Sequence, residues 1–264
     1  MQGYIKIDKY IHQHCQTIAK FGRSFAESKE DDSHTNLSLD EIGKTIWGRW
    51  VNVNNKKYML GLDLPTQKFN LVDKNKSLVV SFEMKGKKQS DVESDLASYF
   101  NDKLSLDGED FLKPLHYEIP AYDFVDEEIP KYHVDQMDVW FQYRSLAKKT
   151  CLLLTDHLQT AAEIRIWPHH FDTGIYIEYD KQIGIGFGWA MADSMMSEAY
   201  FYYSVYGVNG FKVNYDNPIK LSVGKWIINE NWKGAVLSLS QATESNAATF
   251  LRESTSWALE KQSS

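Results

Sequence analysis

Ile183-Gly184-Ile185-Gly186-Phe187-Gly188-Trp189 sets glycine against a large apolar residue through seven consecutive positions. Successive side chains of a strand point to opposite faces, so the run predicts a β-strand with one apolar face and one bare face. It is no dinucleotide fingerprint, because the glycines lie inside a strand pattern and do not open a helix. A bare strand face either receives another element at close range, the commoner case, or floors a pocket.

Working outward from this run, strand-like stretches flank it at 163–167, 173–179, 200–206, 225–229 and 236–240. Helical periodicity brackets them. The helix at 131–159 carries Met137, Trp140, Ala147, Cys151, Leu154 and Leu158 at three-four spacing, and a closing helix runs over 244–261. Arg144 falls on the apolar seam of the first of these, where a charge must be paired or mark the seam's polar end.

The first half shows the same order. Ile7, Ile11, His14, Ile18, Phe21 and Phe25 define an amphipathic helix of about five turns. Strand-like runs follow at 34–39, 45–53, 57–64, 68–72 and 78–84, separated by Asn54-Asn55, Pro65-Thr66 and Asp73-Lys74-Asn75, residue types that permit tight reversals. A second helix is expected over 90–104 with Ser90 as its N-cap. The prolines 114, 120 and 130 then break all periodicity, while Phe111, Tyr117, Tyr122 and Phe124 give this stretch enough apolar content to lie against the body of the protein.

The reading is therefore class α+β: two halves of helix, antiparallel strands and helix, packed as one unit, with the element order suggesting a pseudo-duplication. The expected division is 1–105 for the first half, 106–130 for a crossing segment and 131–264 for the second half.

Composition narrows the function. A net charge of −7 argues against a broad nucleic-acid surface, whose affinity comes from clustered Lys and Arg. Lys85-Gly86-Lys87-Lys88 is short and reads as a solvated loop. No window approaches the roughly 18 apolar residues of a membrane span, and no signal-peptide pattern opens the chain, so a cytoplasmic protein is expected. The two cysteines, Cys15 and Cys151, lie far apart on or beside apolar helix stripes and read as buried, inert thiols.

The densest run of reactive residue types is Trp167-Pro168-His169-His170-Phe171-Asp172. In an extended chain His170 and Asp172 share a face, and a carboxylate beside an imidazole fixes its tautomer and raises its basicity. The bland alternative is that both hydrogen-bond turn backbone. Glu198 leaves the loop 191–199 as a strand begins, with Asp193 behind it, and strand ends are where binding groups gather.

The His170-Phe171-Asp172 motif, the later Glu198-Ala199-Tyr200 and the hairpin-like run 62–82 together resemble an uncharacterised bacterial family known as a domain of unknown function. Where such proteins carry a Trp-Pro-Gly-rich segment after the Glu-Ala-Tyr strand, this chain has Gly207-Val208-Asn209-Gly210-Phe211. The resemblance implies a two-part α+β architecture and a motif neighbourhood, and it brings no reaction.

Two functions compete. Eight tryptophans and fifteen tyrosines favour a pocket for a small molecule, a sugar or planar metabolite, lined by Trp167, Phe187, Trp189, Tyr200, Tyr202 and Tyr206. The alternative is a hydrolase in which His170, Asp172 and Glu198 converge. It would run either by general-base catalysis or through a divalent ion, zinc or manganese, held by His34, His170 and Asp172.

Overall fold

The computed structural model describes residues 2–260. The fold is α+β with two antiparallel sheets, divided between two compact units: Gln2–Phe141 with Ile166–Phe171, and Gln142–Arg165 with the chain from Asp172 onward. Among the described residues no helix is long and apolar enough to cross a membrane.

The first unit begins with α1 (Gln2–Phe25), followed by β1 (Ser38–Asp40), β2 (Thr45–Trp47), β3 (Val51–Val53), β4 (Lys56–Asp63), β5 (Lys68–Asp73) and β6 (Leu78–Glu83). Its sheet has the order β1-β2-β4-β5-β6, with β3 pairing β4 beside β2. Asn54 and Asn55 both take positive φ between β3 and β4, the turn geometry that asparagine tolerates and that matches strand twist. The expected strand at 45–53 is thus two short strands, and in 34–39 extended pairing begins only at Leu37, so His34, in a turn, does not begin a strand.

Helix α1 is more deeply set than an amphipathic stripe implies. From Ile11 to Gly22 all but Gln13 and Lys20 are buried, which places polar groups of several helix faces inside the unit. The crossing segment, with Tyr132 just beyond it, supplies their partners. Tyr122 bonds His12 Nδ1 at 2.7 Å, Tyr132 bonds His14 Nδ1, and Tyr117 donates to Gln16 at 2.9 Å. His12 Nε2 lies 2.8 Å from the Pro168 carbonyl, which can only accept, so Nε2 carries the proton and Nδ1 accepts from Tyr122. The crossing segment, 106–130, falls within the first unit.

Helix α2 (Gln89–Tyr99) continues through a π-turn at Phe100–Leu104 and is followed by α3 (Gly108–Leu112). Lys88, not Ser90, occupies the N-cap, without a side-chain cap bond. Gln89 and Glu93 instead face α1, where Thr17 donates to Glu93 at 2.8 Å and Lys20 pairs with it at 2.7 Å.

Helix α4 (Val134–His157) is shared by the two units, which divide it between Phe141 and Gln142. After β7 (Arg165–Trp167) the second unit builds β8 (Asp172–Glu178), β9 (Ile183–Ala190), β10 (Tyr200–Gly207), β11 (Lys225–Ile228), β12 (Lys233–Ser238) and α5 (Glu244–Glu260). Its strands run β8-β9-β10-β12-β11, so the last hairpin enters with its order reversed, whereas the first sheet is a sequential meander. Helix, strands, helix recurs, but the strand order does not.

One face of the second sheet is covered by helices. Tyr143 of α4 stacks on Trp189 at 5.2 Å between ring centroids, and Trp257 of α5 packs on Trp226 at 4.5 Å. Arg144 is fully buried on this side and donates to Thr173 Oγ1 at 2.9 Å, which answers the charge on the seam.

Candidate functional site

Register fixes what lies on the other face of this sheet. Gly174, Gly188, Tyr202 and Val236 form one cross-strand row; Tyr176, Gly186 and Ser204 form another; Glu178, Gly184 and Tyr206 a third. The odd-numbered neighbours Phe187, Trp189, Phe201 and Tyr203 all point to the helix side and are fully buried. The glycine column is therefore the floor of the face that neither α4 nor α5 covers.

Tyrosines from the flanking strands lie over that floor. A Cβ on Gly184 would collide with the Tyr176 ring, one on Gly186 would stand 3.1 Å from the Tyr206 ring, and one on Gly188 would stand 2.8 Å from the Tyr202 hydroxyl. Tyr176 and Tyr206 are 49% and 45% exposed, with ring centroids 6.2 Å apart. Tyr202 crosses Gly188 to donate to Asp172 Oδ2 at 2.5 Å. Burial and this neighbouring carboxylate both push the Tyr202 phenol well above its ordinary pKa.

Beyond Tyr202 the same face becomes apolar and then concave. Ala190, Tyr200 and Val236 form a buried cluster against which Met195, Met196, Tyr202, Ile227 and Trp232 pack. Trp232 crosses Gly234, where a Cβ would meet its ring at 2.6 Å. The loop carrying the two methionines is held by Asp193, which accepts from the Met195 and Met196 amides at 2.8 and 2.9 Å and from the Tyr200 hydroxyl at 2.7 Å. Between this loop and the β11 edge lies an open concavity of about 470 Å³, bordered by Met195, Met196, Glu198, Lys225, Val236 and Gln241.

The residues expected from the sequence are distributed differently from that expectation. Of the six rings, only Tyr200, Tyr202 and Tyr206 share the open face. Phe187 and Trp189 point to the helix side because strand alternation separates odd from even positions, and Trp167 belongs to the first unit.

The expected pairing of His170 with Asp172 assumes an extended chain. Phe171 has φ of +50°, a rare conformation for a bulky residue, so the alternation that would align them is broken. That conformation is held by packing: Phe171 is fully buried, stacked on His12 at 5.2 Å and on Trp140 at 6.3 Å, with its amide donating to the Trp167 carbonyl at 2.7 Å. His170 sits exposed in the resulting turn.

Glu198 accepts from the Ser240 amide at 2.8 Å and from its hydroxyl at 3.0 Å, tying the 191–199 loop to the end of β12. His34 lies in a turn of the first unit, where its Nδ1 accepts from the Lys29 amide at 3.3 Å. Among the described residues no group of three or more His, Cys, Asp or Glu side chains is arranged to hold a metal ion, so His34, His170 and Asp172 do not form the expected ligand set. Histidines do gather in the first unit: His116 Nε2 lies 2.5 Å from Asp32, and the His169 and His170 rings are 4.4 Å apart. Burial, and then His170, lower the His169 pKa to about 4.

Sequence reading misses Tyr176, Trp232, Lys225 and Gln241. The signal for Tyr176 was present, because it shares a face with the glycine column once β8 and β9 pair in register.

No family model, curated protein or solved structure matches this chain.

Proposed function

We propose that the second unit binds a small molecule with a flat apolar body, a sugar or planar metabolite, on the open face of its sheet. The observation that carries this reading is the pair Tyr176 and Tyr206, half exposed over a strand that presents only glycine there. Rings resting on backbone are held stiffly, so little side-chain freedom is lost when a ligand covers them. An amphipathic ring also suits the mixed polar and C–H surface of a sugar. Of the rings expected from the sequence, Tyr206 belongs to this surface; buried Tyr200 and Tyr202, bonded to Asp193 and Asp172, support it, and Phe187, Trp189 and Trp167 lie elsewhere. A hydrolytic role for His170, Asp172 and Glu198 has no comparable support, since Asp172 and Glu198 are engaged by Tyr202 and Ser240.

The test is calorimetric titration of the full chain with neutral and uronic-acid oligosaccharides and with naphthyl compounds. Tyr176→Ala and Tyr206→Ala should each weaken a binding probe about tenfold or more, in line with the cost of truncating an aromatic contact. Each change should cost no more than about 1 kcal/mol of unfolding stability, the range for a cross-strand contact, since half of each ring remains in water. A double variant that keeps wild-type affinity would exclude this face.

A further inference from the structure

We infer that the ligand of this face is a chain of sugar units lying across the strands and resting on two aromatic stations, Tyr176 with Tyr206 and, about 10 Å away, Trp232. The inference rests on the preceding reading of the open face and goes further by naming the kind of ligand and the direction in which it lies.

Both stations are built in the same way. Tyr206 pairs across from Gly184, yet its ring reaches two residues along β9 to lie over Gly186. Trp232 precedes Gly234 by two residues, and its ring lies over that glycine, where a Cβ would stand 2.6 Å from it. Gly186 pairs with Ser204, and Gly234 lies beside Ser204 on β12, one position beyond the pairing of Tyr203 with Ala235. The two rings therefore lean onto one cross-strand row, with only β10 between the strands beneath them. Two strand spacings amount to about 10 Å. In that row Ser204 is fully buried and its hydroxyl donates to the Lys233 carbonyl at 2.9 Å, so it raises no side chain between the stations. Trp232 is also fixed by its backbone. Its amide donates to Asn229 Oδ1 at 2.8 Å and its carbonyl accepts from the Asn229 amide at 3.0 Å, which closes the turn between β11 and β12.

Polar tips set these rings apart from the other aromatics of the face. The Tyr200 and Tyr202 hydroxyls are occupied by Asp193 and Asp172. Among the described residues the Tyr176 and Tyr206 hydroxyls and the Trp232 indole N–H have no hydrogen-bond partner, and none of the three is sealed from water. Each station thus offers an apolar ring face with a free polar edge. A sugar ring, with C–H faces and hydroxyls around its rim, complements both parts. One ring alone, whether a sugar or a planar metabolite, covers a single station and leaves the other in water. A chain of sugar rings covers both.

The experiment titrates the full chain by calorimetry with cellobiose and cellohexaose, with digalacturonic and hexagalacturonic acid, and with 2-naphthamide. In one sugar series the long member should bind at least about tenfold more tightly than the short one. Trp232→Leu should abolish that gain, whereas Trp232→Phe, which keeps a ring, should retain part of it. Because Trp232 packs against Ala190, Tyr200 and Val236, a second measurement avoids any change to the fold. In the nitrogen-15 spectrum of the wild type, the Trp232 indole N–H resonance should shift when the long sugar is added. Equal affinity for short and long members, a gain that survives in Trp232→Leu, or an unmoved indole resonance overturns the inference. If 2-naphthamide alone binds, and Tyr176→Ala weakens it, the open face stands as a site for a planar metabolite and only the sugar chain is lost. If no probe binds at millimolar concentration, both readings fall.

Discussion

At one place in each unit tyrosine is used in opposite ways. In the first, Tyr117, Tyr122 and Tyr132 turn inward and their hydroxyls meet polar groups of a helix that is buried nearly all round. In the second, Tyr176 and Tyr206 lie outward over glycine and keep almost half their surface in water. Both arrangements come from the same residue type, so a high tyrosine count says nothing about a site until the backbone beneath each ring is known. A buried phenol is a structural part because its partner needs it there. A phenol laid over bare strand has surface left for something else.

The largest effect expected from this contrast is in the first unit. Burial lowers the His14 pKa from 6.5 to about 3, so the folded state keeps this imidazole neutral while the unfolded chain protonates it normally. Stability from this group is fully present above pH 6.5 and is lost as pH falls toward 3, because only the unfolded state takes up the proton across that window. Integrated over the shift, the loss is roughly 4–5 kcal/mol. Denaturant unfolding of wild type and His14→Gln at a series of pH values should show the stability difference moving in the variant's favour on acidification. A difference independent of pH would mean that His14 is not the buried neutral group described.

In the second unit the largest effect belongs to Gly188. A Cβ there would stand 2.6 Å from the Thr173 carbonyl and 2.7 Å from the Gly174 Cα, both backbone atoms of the neighbouring strand, which can yield only if β8 moves. Gly188→Ala should cost about 2–4 kcal/mol in unfolding free energy, the range for a clash that the surroundings cannot absorb. A near-neutral result would show that the floor is loosely packed and would weaken the case for stiffly held rings.

These residues also show how far the sequence can be read. The alternation at 183–189 suffices to place a strand, since only a period of two separates glycine from large residues so cleanly, and element types along most of the chain follow by the same logic. The covered face cannot be deduced that way. Phe187 and Tyr202 look equally suited to a pocket, and only the pairing of β9 with β10, together with the position of α4 and α5, puts them on opposite sides. The His170 to Asp172 reading fails for a related reason. One residue, Phe171, adopts φ of +50° because its ring is gripped by His12 and Trp140, and no local pattern announces a contact made 159 positions away in the case of His12. The crossing segment is intermediate: its apolar content signals that it packs, while its phenol partners on α1 depend on side-chain geometry.

The smallest effect is the sharpest test of the comparison. At Gly186 an added Cβ meets no backbone, only the Tyr206 ring at 3.1 Å, with the hydroxyl 3.7 Å away. A half-exposed ring on two χ angles can shift by a few tenths of an ångström, and alanine in a strand regains the conformational entropy that glycine loses, so Gly186→Ala should change stability by less than about 1 kcal/mol in either direction. Its effect on ligand affinity is expected to be larger, because the displaced ring is part of the proposed surface. Measured side by side, Gly188→Ala should appear in the unfolding curve and Gly186→Ala in the binding isotherm. If Gly186→Ala instead destabilises the fold as much as Gly188→Ala, the Tyr206 ring carries as much of the fold's stability as the tyrosines of the first unit. The outward ring would then be a packing element, and the distinction between the two units would disappear.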